Sequence, residues 1–326
     1  MESLAGKTVL VTGGSGFVGG HLLAALAAAG CGPLHATTLT PPASGGDVTW
    51  HELDITERAG TLALVAGITP DLVFHLAAQS HVPTGFSQPQ LTWAVNLNGT
   101  LNLLEATNRA NPTATFINIG SADCYGGSFR AGQAVAEATP FEPLNPYAAS
   151  KASADLAACQ YAATTGLKVI RARPFNHSGP GQGENFVLPA FAAQIARIEA
   201  GVQEPEIAVG DLSGERDFLH IVDVVDAYLA LAANARRIPS GSAFNVASGE
   251  AVTIASLLDR LLAESPARIR VVQDPARLRP VDIRRIAGDN SALRLATDWR
   301  PRHTREGLLA DLLRHWREQV ALEARR

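Results

Sequence analysis

The chain has 326 residues, and 27 Lys+Arg against 31 Asp+Glu give it a formal net charge of −4 at pH 7. Hydrophobic residues make up 46% and charged residues 18%, a balance that excludes an intrinsically disordered chain. The length favours two structural lobes. The slightly acidic charge argues against non-specific binding to nucleic acid or to membranes.

The expected compartment follows from the cysteines and the first residues. Three cysteines, Cys31, Cys124 and Cys159, cannot form a disulfide framework, which favours a reducing compartment. The start MESLAGKTVLVTGG lacks a basic segment followed by a long apolar one, so we expect no secretory signal. No apolar run approaches the ~18 residues of a membrane span. These features predict a cytoplasmic protein.

Strands and helices alternate along the first half of the chain. Short apolar and β-branched segments predict strands at 7–11, 34–39, 47–53, 71–78, 114–121 and 167–173. Segments of helical periodicity predict helices at 21–30, 92–110 and 147–166. Such alternation is typical of right-handed βαβ units. The fold class is therefore predicted to be α/β, with a doubly wound Rossmann-type parallel sheet.

The composition changes after Arg173. Residues 174–185 are rich in Pro, Gly and Asn, which predicts a functional loop. Beyond it, the pattern predicts a helix at 187–199, a short strand, a helix over 216–235, a strand at 243–248 and helices at 255–264 and 307–324. We predict a dinucleotide-binding domain over 1–175 plus about 218–247. The smaller, interleaved C-terminal α/β lobe, predicted to bind a nucleotide sugar, takes 176–217 and 248–326.

A glycine-rich turn lies between the first predicted strand and the first predicted helix. Gly13, Gly16 and Gly19 are spaced G-x-x-G-x-x-G. The first glycine permits a tight turn, the second lets the backbone approach a pyrophosphate, and the third lets the helix pack on the strand. The helix N-terminus then supplies N–H groups for the phosphates. A glycine motif alone indicates only a turn, but this position favours a dinucleotide.

The sequence does not choose between NAD and NADP. An acid at the end of the second strand would bind the ribose 2′-OH of NAD, and an arginine nearby would favour NADP. Thr38 and Thr40 occupy that region and are neither. Asp54, after the third strand, has two open interpretations: a contact to the adenine edge, or a turn aspartate.

A catalytic set is predicted from Ser121, Tyr147 and Lys151. Tyr147 and Lys151 are spaced i and i+4, so they share one face of a helix. A lysine ammonium beside a phenol is expected to lower the phenol pKa, which suits proton transfer during hydride transfer to or from a nicotinamide. Ser121 follows a buried strand, where strand ends line the ligand crevice of a doubly wound sheet.

At these residues the chain resembles the extended short-chain dehydrogenase/reductase family acting on nucleotide sugars. The resemblance runs from Thr8 to about Pro301. It is carried by the Ser-Tyr-Lys set and by the segments TGGSGFVGGHL, HLAAQSHV, NLNGTLNLLEA, RPFNHSGPGQ and RDFLHIVDVVDAY. Within that family, the segments FNHSGPGQGENFVLPAFAAQIARIEAG, QEPEIAVGDLSGERDF and RLRPVDI are similar to the GDP-4-keto-6-deoxy-mannose reductases. The AAQSHV segment is also similar to the GDP-mannose 4,6-dehydratases.

The motifs and the resemblance together give a set of expected site residues. By resemblance, Asn96 supports the catalytic lysine through water, Asn176 contacts the substrate, and Arg216 and Arg279 grip its diphosphate. Guanidinium groups match phosphate oxygens bidentately, which agrees with the last role. Asn185 and Val187 complete the substrate set. The cofactor is expected to contact Gly13, Gly16, Phe17, Val18, Gly19, Asp54, Ile55, Leu76, Ala77, Ala78, Asn96, Tyr147, Lys151 and Pro174. No residue spacing indicates a metal site.

The two residues after Ser121 bear on the reaction. The resembling dehydratases carry Ser or Asp and then Glu there, and the reductases usually carry Ser-Glu. This chain has Ala122, which has no proton to exchange, and Asp123, which could still serve as a catalytic base. These residues depart from both groups, and it is the likeness of the C-terminal lobe to the reductases that implies an NAD(P)H-dependent reductase of a GDP-4-keto-6-deoxy-hexose. The alternatives are GDP-mannose 4,6-dehydratase, a nucleotide-sugar 4-epimerase and, more remotely, a non-catalytic dinucleotide sensor.

The predicted helices at 92–110 and 147–165 are rich in alanine and leucine, which bears on the oligomeric state. In the resembling enzymes these two helices pair across a two-fold axis into a four-helix bundle. A homodimer is therefore expected, with a GDP-linked sugar as the small-molecule partner.

Overall fold

A computed structural model describes residues 3–40, 46–277 and 283–324. Within them the strands are β1 (Val9–Thr12), β2 (Leu34–Thr38), β3 (Val48–Glu52), β4 (Leu72–His75), β5 (Thr115–Ile119), β6 (Lys168–Pro174), β7 (Asn176–Ser178), β8 (Glu206–Val209), β9 (Glu215–His220), β10 (Ala243–Val246), β11 (Ala251–Thr253), β12 (Arg270–Gln273) and β13 (Arg285–Ile286).

The α-helices of the same ranges are α1 (Phe17–Ala28), α2 (Arg58–Ile68), α3 (Val82–Ser87), α4 (Pro89–Trp93), α5 (Gly99–Ala110), α6 (Pro146–Thr164), α7 (Val187–Glu199), α8 (Ile221–Ala233), α9 (Ile254–Ala263), α10 (Ser291–Thr297) and α11 (Arg305–Glu323). A π-helical turn (Ala94–Asn98) joins α4 to α5, and 3₁₀ turns cover Ala122–Ala131 and Pro275–Arg277.

Strands of both halves of the chain form one parallel sheet. In the described part of the chain its order is β3-β2-β1-β4-β5-β6-β10, and every neighbouring pair is parallel. Alternate strand residues point to opposite faces. Val9 and Val11 pack with α1 and α8, whereas Leu10 packs on the opposite face with α5. The predicted α/β class with a doubly wound parallel sheet is confirmed.

A second hydrophobic core lies beside the sheet. Leucine, isoleucine and alanine side chains of α7, α9 and α11 pack together there with β8 and with Phe218 of β9. Strand β9 pairs with β7 and β13 in parallel and with β11 antiparallel. The domain boundaries expected from the sequence stay a prediction. Leu293 and Trp299, from the segment assigned to the lobe, pack into the core of the parallel sheet.

The helix predicted over 216–235 is wrong at its beginning. Residues up to His220 form strand β9, and helix α8 begins only at Ile221, where the His220 side chain caps it by accepting from the Val222 N–H. The strand forms because three distant segments pair with it. Local periodicity cannot predict such long-range pairing.

A buried ion cluster joins β6 to α6. The Asp155 carboxylate is fully buried and accepts hydrogen bonds from Arg171 and from Arg173, the latter at 2.9 and 3.0 Å. The Arg173 guanidinium also lies over the rings of Tyr125 and Phe141. Two buried cations thus depend on one carboxylate, so its removal leaves charge uncompensated in the core.

We expect Asp155→Asn to lower the free energy of unfolding by about 3–5 kcal/mol, because it leaves both guanidinium groups buried without a counter-charge. Urea denaturation followed by circular dichroism measures this. The matched control is Asp274→Asn, which weakens the exposed pair with Arg277 and should cost below about 1 kcal/mol. Equal losses for the two variants would contradict a structural role for the buried cluster.

Candidate active site

The glycine turn closes tightly between β1 and α1. Gly13 has φ +70°, and a Cβ there would lie 2.8 Å from the Ala77 nitrogen. A Cβ on Gly19 would lie 2.4 Å from the Gly13 oxygen, so helix and turn touch through this position. Helix α1 begins after Gly16 without a side-chain cap, which leaves its first N–H groups available to an anion. This cradle fits a dinucleotide pyrophosphate.

The other candidate cofactor residues lie where parallel strands end. Leu76, Ala77 and Ala78 follow β4, and Pro174 is the last residue of β6. Ile55 is buried and fills the space at Gly99, where a Cβ would lie 2.5 Å from its Cδ1 atom. Phe17 and Val18 open helix α1. Because the carboxyl ends of parallel strands meet at one edge, the fold brings these segments to the same side of the sheet.

Asp54, after β3, and Thr38, at the end of β2, lie where the adenosine of the cofactor is expected. The exposed Asp54 accepts hydrogen bonds from the Thr56 N–H at 2.9 Å and from its hydroxyl at 2.8 Å, which is the geometry of a turn aspartate. At the end of β2, the Thr38 hydroxyl lies 2.7 Å from that of Ser15 and donates to the Thr40 carbonyl. These neutral hydroxyls leave the choice between NAD and NADP open.

Ser121, Tyr147 and Lys151 meet beyond the end of β5. Ser121 is the N-cap of the 3₁₀ turn that follows this strand, and its oxygen accepts from the Asp123 N–H. Tyr147 opens helix α6, which Asn145 caps by accepting from Ala148 N–H at 2.8 Å. The Lys151 ammonium, 5% exposed, donates to the Ile119 carbonyl.

The pKa of Tyr147 differs from the sequence expectation. Burial raises it well above its usual value, the Asp123 carboxylate raises it further, and a hydrogen bond from the Ser121 hydroxyl lowers it. The net shift is therefore opposite to the lowering expected from Lys151, because burial outweighs the other contributions. Tyr147 is held as a neutral phenol, which can donate a proton.

Burial also shifts the pKa of Lys151, which falls to about 8. The Asp155 carboxylate acts in the opposite direction. Burial likewise raises the pKa of the Cys124 thiol to about 12, so this cysteine stays protonated at neutral pH. Lys151 keeps its charge at neutral pH, so it can orient bound hydroxyl groups.

Asp123 and Arg216 form the charged side of the site. Burial raises the pKa of Asp123, while the Arg216 guanidinium lowers it. Arg216 donates to the Glu215 carbonyl at 2.8 Å. Within residues 3–40, 46–277 and 283–324, it has no carboxylate at ion-pair distance. A partly buried guanidinium with spare N–H donors is suited to hold a phosphate.

The remaining candidate substrate residues lie on the loop and helix after β6. Asn176 begins β7 and is exposed, and its strand pairs with β9 two residues beyond Arg216. Asn185 and Val187 are also exposed, and Val187 is the first residue of α7. Arg279 falls outside the described residues, so its predicted role has no structural counterpart here.

Asn96 lies in the π-helical turn and is 1% exposed. Its Oδ1 atom accepts from the Gln79 N–H at 2.8 Å, and its Nδ2 atom donates to the Gln79 carbonyl and to the Ser150 hydroxyl. It therefore ties the loop after β4 to the helix that carries Lys151. π-Helical turns are frequent at functional sites.

Sequence reasoning missed several polar residues around this site. His75 and Thr100 are buried and hydrogen-bonded to each other, and Asp217 holds the N–H groups of Ser248 and Gly249 beside β9. For His75, the available sequence signal was a histidine inside the apolar segment DLVFHLAA. No cluster of metal-ligating side chains occurs among the described residues, and no helix there is long and apolar enough to cross a membrane.

Comparisons with known proteins agree with this geometry. A family model described as GDP-mannose 4,6 dehydratase matches residues 10–312. The GDP-6-deoxy-D-mannose reductase of Pseudomonas aeruginosa is 40% identical over 322 residues, which cover 97% of this chain and 99% of that protein.

Two solved structures extend the comparison. The structure of RMD from Pseudomonas aeruginosa complexed with NADPH matches with a TM-score of 0.84 and 36% identity, covering 96% of this chain and 99% of that one. The UDP-glucose 4-epimerase of Thermus thermophilus in complex with NAD matches with a TM-score of 0.82 and 27% identity, covering 95% and 98%.

The parallel sheet, the glycine turn and the Ser-Tyr-Lys set together define an extended short-chain dehydrogenase/reductase. The matches extend this assignment over nearly the whole chain. The chain belongs to the GDP-mannose 4,6 dehydratase family.

We expect Gly19→Ala to weaken NADPH binding about 10- to 100-fold, because the new methyl group must push the Gly13 carbonyl and distort the turn. Quenching of protein fluorescence on NADPH titration measures the dissociation constant. Gly20→Ala is the matched control, since a Cβ there meets nothing within 4 Å and should leave binding unchanged. A Gly19→Ala variant that binds NADPH like the parent would remove the turn from the cofactor site.

Proposed function

We propose that this protein is an NAD(P)H-dependent reductase that converts the C4 keto group of a GDP-4-keto-6-deoxy-hexose to a hydroxyl. The product would be a GDP-6-deoxy-hexose of the GDP-rhamnose or GDP-6-deoxy-talose type. The observation that carries the proposal is the Tyr147 phenol at hydrogen-bond distance from the Ser121 hydroxyl, with the buried Lys151 one turn further along α6. The 40% identity to a GDP-6-deoxy-D-mannose reductase supports the substrate class.

Ser121, Tyr147 and Lys151 each have a separate role in the proposed reduction. The nicotinamide, when bound, supplies a hydride to the sugar C4. Ser121 donates a hydrogen bond to the carbonyl oxygen and polarises it, and Tyr147 gives its phenolic proton to that oxygen as negative charge develops there. The ketone thus gains one hydride and one proton and becomes an alcohol. Lys151, buried and charged, orients the nicotinamide ribose.

Cationic and polar side chains would hold the nucleotide sugar. Arg216 has guanidinium N–H groups that meet no described carboxylate at ion-pair distance, which suits a diphosphate oxygen. We assign Arg279 to the same diphosphate by its position in RLRPVDI. The exposed Asn176, Asn185 and Val187 are assigned to the sugar and nucleotide.

The two residues after Ser121 favour reduction over dehydration. A 4,6-dehydratase must also remove the C5 proton and expel the C6 hydroxyl, which needs a further acid or base. Ala122 is 4% exposed, packs with Tyr125 and Phe129, and has no proton to exchange. Asp123 has a carboxyl group, but it faces the positive charge of Arg216. The lack of a proton-exchanging side chain at Ala122 therefore weakens the dehydratase alternative.

We propose that two copies of the chain associate through α5 and α6. Both helices carry exposed leucines, Leu101 at 36% and Leu156 at 59% exposure, on faces that the described residues leave uncovered. We propose a cytoplasmic location as well, because Cys31, Cys124 and Cys159 are free thiols.

Leu156→Glu is expected to convert a dimer into a monomer, because it puts a charge into the apolar helix pairing. Sedimentation velocity at micromolar concentration measures the mass. Leu295→Glu is the matched control, since this leucine is 86% exposed on α10 and should leave the dimer intact. A monomeric parent protein would contradict the assembly.

The reductase proposal is tested by following absorbance at 340 nm with GDP-4-keto-6-deoxy-mannose made in situ and NADPH or NADH. We expect cofactor oxidation, and Tyr147→Phe should slow it roughly a hundredfold or more, because the proton donor is lost. Tyr161→Phe, on the same helix, should keep the parent rate and serves as the control.

NMR of the product sugar gives the C4 configuration. Absence of oxidation, together with dehydration of GDP-mannose or epimerisation of a UDP-sugar, would overturn the proposal in favour of that activity. An unchanged rate in Tyr147→Phe would remove Tyr147 from the mechanism.

A further inference from the structure

A continuous run of buried hydrogen bonds connects the end of β1 to helix α5. The Thr12 hydroxyl oxygen lies 2.8 Å from His75 Nδ1, and His75 Nε2 lies 2.9 Å from the Thr100 hydroxyl oxygen. Each of these three residues is at most 1% exposed. Because water does not reach them, each donor and acceptor depends on its protein partner.

The partners fix which imidazole nitrogen carries the proton. The Thr100 hydroxyl donates to the Asn96 carbonyl at 2.7 Å, so its single proton is used there. It must therefore accept from His75, which places the proton on Nε2. Nδ1 then accepts from the Thr12 hydroxyl, whose oxygen accepts in turn from the Ala77 N–H at 3.3 Å. In each of these hydrogen bonds the donor lies nearer to Ala77 and the acceptor nearer to the Asn96 carbonyl.

The surroundings keep this imidazole uncharged. Burial and, to a smaller extent, the Lys151 ammonium lower the pKa of His75 to about 3. A charged imidazole would in turn oppose the charge on Lys151, whose own pKa already falls to about 8. A neutral His75 therefore preserves the cation of the candidate active site.

The run continues from Asn96 to the catalytic helix. Two hydrogen bonds with the Gln79 backbone fix the orientation of the Asn96 amide, and its Nδ2 atom donates to the Ser150 hydroxyl at 2.9 Å. Ser150 donates to the Tyr147 carbonyl at 2.8 Å and directly precedes Lys151. The run thus begins one residue before Gly13 and ends at the backbone of the candidate proton donor.

We propose that His75, held as the neutral Nε2–H tautomer, is a positioning residue that couples the cofactor turn at Thr12 and Gly13 to the helix bearing Tyr147 and Lys151. It acts through Thr12 and Thr100 and touches no substrate. This inference rests on the proposed function for its kinetic readout, but the state of the imidazole is measurable without turnover.

The tautomer is tested by NMR of the full-length protein labelled with ¹⁵N-histidine. The His75 signals are assigned by their loss in His75→Gln. We expect the shifts of a neutral imidazole with the proton on Nε2, unchanged between pH 5 and 8. A proton on Nδ1, or titration within that interval, would overturn the proposal. Neither the position of the proton nor its titration depends on the identity of the sugar.

The coupling is tested by Thr12→Val and Thr100→Val, which remove one hydroxyl each at nearly constant volume. We expect Thr12→Val to weaken NADPH binding, and Thr100→Val to lower kcat with little change in NADPH affinity, each by about 5- to 30-fold. Their combined effect on kcat/KM should be smaller than the product of the single effects, because either change already breaks the same run.

Thr107→Val is the matched control. Thr107 lies on the same helix, is fully buried and donates to the Leu103 carbonyl at 2.7 Å, but it lies outside the run. It should lower the melting temperature about as much as Thr100→Val while keeping kcat and NADPH affinity. Equal kinetics for these two variants, or fully multiplicative effects of the Thr12 and Thr100 changes, would overturn the coupling. A parent protein that binds NADPH but reduces no keto-sugar would overturn the proposed function alone.

Discussion

Strand β1 pairs in parallel with β2 on one side and with β4 on the other, so that Thr12 lies in register with Thr37 and His75. Because all strands of this sheet run the same way, their carboxyl ends meet at a single edge. The glycine turn, the segment after β4 and the Ser121 turn all leave the sheet there. The close contacts of Gly13 and Gly19 follow from this pairing, since helix α1 must start within a few residues of the strand end.

Buried cations play two different roles in this chain. Arg171 and Arg173 share the fully buried Asp155 carboxylate, so their charges are neutralised inside the protein and hold β6 against α6. Lys151 is bonded to a backbone carbonyl, and Arg216 meets only backbone carbonyls at hydrogen-bond distance among the described residues. The first pair stabilises the fold, whereas the other two keep N–H groups for anionic or hydroxyl ligands.

Local spacing predicted the glycine turn, most strands of the parallel sheet, and the shared helix face of Tyr147 and Lys151. The same reasoning gave the wrong direction for the pKa of Tyr147, because burial dominates that pKa and local spacing does not show burial. It also extended helix α8 back over β9, whose pairing partners lie far away in the sequence. The hydrogen bonds of His75 with Thr12 and Thr100 could not be predicted from residue spacing.

The sequence by itself determined the fold class, and it predicted the cofactor turn and the Ser-Tyr-Lys set, because periodicity, short spacings and family resemblance are all visible in it. Only the tertiary structure decided the protonation states of Tyr147, Lys151 and His75. It also decided which arginines pair with a carboxylate and which do not. Those properties depend on burial and on partners far away along the chain, such as Arg285 and Glu215 beside Arg216, which are 70 residues apart. Burial and long-range contacts arise only when the chain has folded.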